Sequence, residues 1–189
     1  MRIVVTGNMG CGKSTFVKLM SECLPHYTVF DFDAAVHSLY EDEDIQLKLD
    51  EAFGTHIRQE VREQVFADPH KMRQLANITN QKLLLRTLSA AEHENRILDI
   101  PLYFEYYARS IKQYTHIDKV ICVTASPEIQ RARIKVRNGH SDSMIDAILS
   151  KQMDPVHKAK LSDVEFINNF STVDEMRNAV RHFVTQEIL

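Results

Sequence analysis

Between Gly7 and Thr15 the chain reads Gly-Asn-Met-Gly-Cys-Gly-Lys-Ser-Thr, which is a glycine, four residues, then Gly-Lys-Ser. Glycines let a backbone curl until successive amide N–H groups converge, and a following helix N-terminus adds its positive dipole end, so the segment suits phosphate oxygens. The expected nucleotide-contacting residues are Asn8, Met9, Gly10, Cys11, Gly12, Lys13, Ser14 and Thr15. Lys13 is expected to reach the β- and γ-phosphates of ATP, and Ser14 to ligate Mg²⁺. Cys11 stands at a helix N-terminus, a position that lowers a thiol pKa; the plainer reading is a small residue tolerated at a variable loop position.

Asp31 and Asp33 follow a second apolar run. On an extended segment two carboxylates two residues apart point the same way, so one can approach an acceptor hydroxyl while the other supports it. Asp33 is the favoured general base, although spacing alone leaves Asp31 open, and one of the two is also suited to capping a helix that starts near Ala34. Arg131, Arg133, Lys135 and Arg137 form a cationic stretch with Arg133 and Arg137 four apart, on one helical face. A solvated face explains many such runs, but phosphoryl transfer needs a guanidinium near the γ-phosphate, and Arg137 is the candidate. Tyr103, Phe104, Tyr106 and Tyr107 sit at helical spacing and read as packing more than as a base-stacking platform.

The elements that would position these groups follow from periodicity. Ile3 to Val5, Thr28 to Phe30, Ile97 to Ile100, Lys119 to Thr124 and Val164 to Ile167 read as five buried strands. Helical patterns separate them: Phe16 to Leu24 ends at Pro25, Ser126-Pro127 is a helix start, and Thr172 with Glu175 has capping-box spacing. The expected fold is an α/β, three-layer P-loop kinase fold, with about five parallel strands and helices on both faces. The whole of 1–189 reads as one domain, with a core of about 1–34, 95–130 and 160–189. A helical substrate-binding insertion of about 35–94 and a lid of about 131–159 complete it.

Composition narrows the partners. With 189 residues, 44% of them hydrophobic, the chain can bury one sizeable core. A net charge of -3 supplies no positive field for nucleic acid or an anionic membrane, so a small-molecule acceptor is expected. Three unpaired cysteines and the lack of an apolar leader or membrane-length stretch point to the cytoplasm.

With these pieces in order, the chain resembles the dephospho-CoA kinases, which transfer the ATP γ-phosphate to the 3′-hydroxyl of dephospho-CoA. Beyond the phosphate loop, Asp31-Phe32-Asp33 is similar to the family's Asp-x-Asp, whose second aspartate is implied to be the base. Phe53-Gly54 and Arg62 to Phe66 resemble its substrate region, and Asp99 to Glu105 its Pro-Leu-Leu-Phe-Glu signature, implying substrate contacts at Asp31, Pro101 and Glu105. Gln130, Arg133 and Arg137 resemble its lid pattern, Gln152 the glutamine after the lid, and Ser162-Asp163 with Asn168 its Ala-Asp to Asn segment. Arg62 is the candidate for an acceptor phosphate, since Arg makes bidentate phosphate contacts. The chain departs from the pattern in a shortened stretch between Gly54 and Arg62, in Asn80-Gln81 where His-Pro is usual, and in Asn138 where Asp is usual. Those departures suit a nucleoside or deoxynucleoside monophosphate kinase as the nearest rival, and a rival from another class is an ATP-binding regulatory module with no small-molecule acceptor. The oligomeric state is not legible in the sequence.

Overall fold

Five strands join in a single parallel sheet in the computed structural model, which describes residues 1–139 and 141–189. The side chains of Phe66, Ala67, Pro69 and Asn138 are not described, which leaves the family match at Phe66 and the departure at Asn138 outside what is described, and His140 of the expected lid lies outside the described residues altogether. The strands are β1 (Arg2–Thr6), β2 (Thr28–Asp31), β3 (Arg96–Asp99), β4 (Lys119–Thr124) and β5 (Val164–Ile167). Their spatial order is β2-β3-β1-β4-β5, with every neighbouring pair parallel. β3 begins and ends one residue before the expected run: Arg96 pairs with Arg2 of β1 at its start, and Pro101, which has no N–H to continue a ladder, follows its end.

Among the described residues the helices are α1 (Lys13–Cys23), α2 (Phe32–Leu39), α3 (Glu43–Phe53), α4 (Arg58–Ala67), α5 (Pro69–Glu92), α6 (Ala108–Tyr114), α7 (Pro127–Asn138), α8 (Asp142–Leu149), α9 (Pro155–Leu161) and α10 (Val173–Glu187). A π-helical turn, Tyr103–Tyr107, precedes α6. Strand alternation divides the core in two. Ile3, Val5, Ile121 and Val123 face α1 and α10, where Phe16, Met20, Val180 and Val184 are buried. Val4, Leu98 and Val120 face the other way, against Leu39, Leu49, Leu83 and Ile111 of the helices between β2 and β4. The expected sheet with helices on both faces is therefore present.

Side-chain caps fix where these helices start. Ser126 accepts from the Ile129 N–H ahead of Pro127, and Thr172 and Glu175 form the expected reciprocal capping box. Asp31, Asp68, Ser141 and Asp154 cap α2, α5, α8 and α9 in the same way. No helix among the described residues is long and apolar enough to cross a membrane.

Candidate active site

The loop from Gly7 to Gly12 leaves β1, the central strand, at the carboxyl edge of the sheet and feeds directly into α1. Two of its glycines are dictated by geometry. Gly10 (φ 82°) and Gly12 (φ 87°) lie in the left-handed region. A Cβ on Gly10 would come within 2.7 Å of the Gln130 carbonyl oxygen, and one on Gly12 would strike the Asn168 amide. Gly12 is also the N-cap of α1 and brings no side-chain acceptor, so the first-turn N–H groups are left for another partner.

A cleft of about 270 Å³ lies over this loop. Asn8, Gly10, Gly12, Lys13, Ser14 and Thr15 form its floor. Asp33 of α2, Pro101 beyond β3, and Arg133 and Arg137 of α7 form its walls. The four-residue spacing on α7 thus turns both arginines to the cleft. Arg133 is fastened, donating to the carbonyls of Asn168 (3.1 Å) and Phe170 (3.1 Å). Asn168 in turn donates to the Cys11 carbonyl at 2.8 Å, tying the end of β5 to the loop.

The paired-aspartate geometry expected of an extended segment is not what forms. Asp31 accepts the Ala34 N–H at 3.0 Å, which ends β2 and places Asp33 in the first turn of α2. The two carboxylates therefore take different roles: Asp31 caps, while Asp33 lines the cleft and Asp31 does not. Cys11 departs from the reactive-thiol reading in the opposite direction. It is buried in the core beneath the loop, and that burial pushes its thiol up to about 11 against the lowering influence of the Lys13 backbone N–H and ammonium.

Met9, Arg62 and Glu105 also lie outside the cleft lining. Met9 is held through its backbone, its N–H donating to Gln152 Oε1 (3.0 Å) and its carbonyl accepting from Gln130 Nε2 (2.6 Å). Arg62 is exposed on α4. Glu105 is turned inward against Lys158 at 2.7 Å.

Three residues that the sequence reading did not single out as site residues matter here. Asp99, the last residue of β3, forms a buried ion pair with Lys13. Burial raises the Asp99 carboxyl above the usual range; the Lys13 ammonium opposes that shift, and the nearby Asp31 and Asp33 carboxylates reinforce it. The signal was a carboxylate closing an apolar strand next to β1, at the sheet edge where doubly wound folds bind ligands. Arg133 was visible as a member of a cationic run and of the lid pattern, without a site role of its own. Lys158 is fully buried, and nothing in Val-His-Lys-Ala-Lys separates it from a surface lysine.

A carboxyl-edge cleft with a glycine-built floor, a buried lysine and two arginines has donors of the kind that suit phosphate oxygens. The profile of the dephospho-CoA kinase family matches residues 1–175. The dephospho-CoA kinase of Rhodopseudomonas palustris (strain CGA009) is 33% identical over 192 residues, covering 95% of this chain and 92% of its own. Among solved structures, TT1252 from Thermus thermophilus superposes with a TM-score of 0.76 at 29% identity, covering 100% of this chain and 98% of that one. The dephospho-CoA kinase from Campylobacter jejuni superposes with a TM-score of 0.68 at 25% identity, covering 99% and 96%. The chain belongs to the dephospho-CoA kinase family.

Proposed function

We propose that the protein is an ATP-dependent phosphotransferase that phosphorylates the 3′-hydroxyl of dephospho-CoA. The observation that carries this reading is the placement of Asp33 across the same cleft from Lys13, Ser14 and Arg137, in a chain of this family. The site suits the triphosphate: the first turn of α1 has no side-chain cap, and the left-handed glycines curl the loop so that backbone N–H groups can converge on phosphate oxygens. Ser14, exposed at the head of α1, supplies a hard oxygen for Mg²⁺. Bound there, the ion would neutralise charge developing on the phosphate oxygens.

Within this reading Lys13 exchanges its Asp99 partner for phosphate oxygens, and Arg137 places a guanidinium against the transferred group. Asp33 accepts the hydroxyl proton of the acceptor and holds its oxygen in line for attack. Pro101 shapes the wall between the two substrates, and Arg133 keeps the β5 end of the cleft closed on the loop. Arg62, exposed on α4, is assigned to the acceptor's phosphates on charge alone. The family and the free cysteines support a cytoplasmic setting.

The test is an ATP-consumption screen with dephospho-CoA beside the common nucleoside and deoxynucleoside monophosphates. Saturable turnover with dephospho-CoA alone supports the assignment. Preference for a monophosphate, which needs no hydroxyl base, would assign the enzyme to nucleotide phosphorylation instead. Hydrolysis indifferent to every acceptor would point to a regulatory ATPase.

A further inference from the structure

Behind the phosphate loop lies a buried ion pair that the chemistry above does not use. Lys158, on α9, is fully buried, and its ammonium is 2.7 Å from Glu105 Oε1. It also lies 3.3 Å from the Pro101 carbonyl oxygen, which Thr6 Oγ1, at the end of β1, approaches to 2.8 Å. Glu105 Oε1 accepts the Met153 N–H as well, at 3.1 Å, while Oε2 is buried with no hydrogen-bond partner. Met153 passes the linkage on through its own backbone, since its carbonyl accepts from Asn8 Nδ2 at 2.8 Å. One buried ammonium therefore ties together the ends of β1 and β3, the π-helical turn and the segment that holds Asn8 and Met9.

A buried lysine and a buried glutamate are each costly to desolvate, and an apolar pair of similar volume would often hold the fold as well. Their retention calls for a role beyond packing. The groups they fix, Asn8 and Pro101, both line the cleft together with Lys13. On the reading of the site given above, we propose that Lys158, acting through Glu105 and Met153, is a positioning residue that sets the phosphate loop for ATP. It touches no substrate.

The test begins with the wild-type protein and a fluorescent ATP analogue, whose binding is measured without any acceptor. Failure of the wild type to bind would remove the kinase reading itself, independently of Lys158. Lys158→Met is expected to lower the melting temperature by roughly 10 °C, because it strands a buried carboxylate. Lys158→Met with Glu105→Gln removes both charges and keeps an acceptor for the Met153 N–H, so the melting temperature should largely recover. The dissociation constant of the analogue and the KM for ATP should nevertheless stay about tenfold raised in the double variant, with the KM for the acceptor unchanged. Recovery of wild-type ATP affinity together with stability would overturn the proposal, leaving the pair merely structural. If neither variant folds, Glu105→Gln alone decides: a raised KM for ATP at unchanged acceptor KM supports the proposal, and wild-type constants refute it.

Discussion

Lys13 and Asp99 form a buried ion pair that joins the first residue of α1 to the last residue of β3, two elements separated by most of the inserted helices. Each group is the other's charge compensation until phosphate arrives. In the nucleotide-free protein, Asp99→Ala should therefore cost about 3 kcal/mol, because it leaves an ammonium buried and unpaired. Lys13→Met with Asp99→Leu should recover most of that loss in urea denaturation. Additive losses in the double variant would show that the two residues are not coupled.

On the proposed reading, Asp33 serves the chemical step and not the holding of ATP. Asp33→Asn should lower kcat by about 10²- to 10⁴-fold while leaving the dissociation constant for ATP within about twofold. Rapid-quench measurement of a single turnover separates the two. A variant that loses ATP affinity in parallel with kcat would place Asp33 in nucleotide binding instead.

The two cleft arginines should separate in the same kind of assay. Arg137→Ala should reduce kcat by about 10³-fold through loss of transition-state charge stabilisation. Arg133 is fastened to the carbonyls of Asn168 and Phe170, so Arg133→Ala should loosen that end of the cleft and act first on the KM for ATP. Steady-state kinetics with ATP varied at saturating acceptor distinguishes these patterns.

The buried thiols predict an alkaline limit. Burial pushes Cys11 up to about 11 and Cys122 up to about 12, against an ordinary 9.0. Because the folded-state pKa lies above the unfolded one, this stability is fully present below pH 9 and is lost as pH rises through 11. For Cys11 the rise corresponds to roughly 3 kcal/mol. Urea midpoints measured from pH 8 to 11 should fall less steeply for Cys11→Ala than for the wild type. At pH 8, iodoacetamide should modify the half-buried Cys23 before either of the others.

The strands, the phosphate loop and the caps at Ser126 and Thr172 were legible because each is written in local pattern: apolar runs, glycine spacing and a cap with its partner three residues on. The cleft was legible only in part. Asp33 and Arg137 stood out by type and neighbourhood, and a cap near Ala34 was legible too, but spacing left open which aspartate makes it, and the hydrogen bond from Ala34 assigns it to Asp31. Asp99 and Lys158 were hidden for a different reason. Their meaning lies in partners 86 and 53 residues away, Lys13 and Glu105, and no local pattern marks a lysine as buried.

The hydrogen bond from Asn168 to the Cys11 carbonyl spans 157 positions of sequence. A chain emerging from the ribosome displays its glycine loop early but lacks that clamp until β5 has been made. At roughly 5–20 residues per second, the interval is roughly 8 to 30 s. For most of this time the nascent loop lacks its β4 neighbour and Arg133, and until the end it lacks the Asn168 contact, so nucleotide cannot assist folding from the start. Ligand stabilisation is available only to the nearly completed polypeptide, and a chain stopped before Asn168 would be open to proteolysis whatever the supply of ATP.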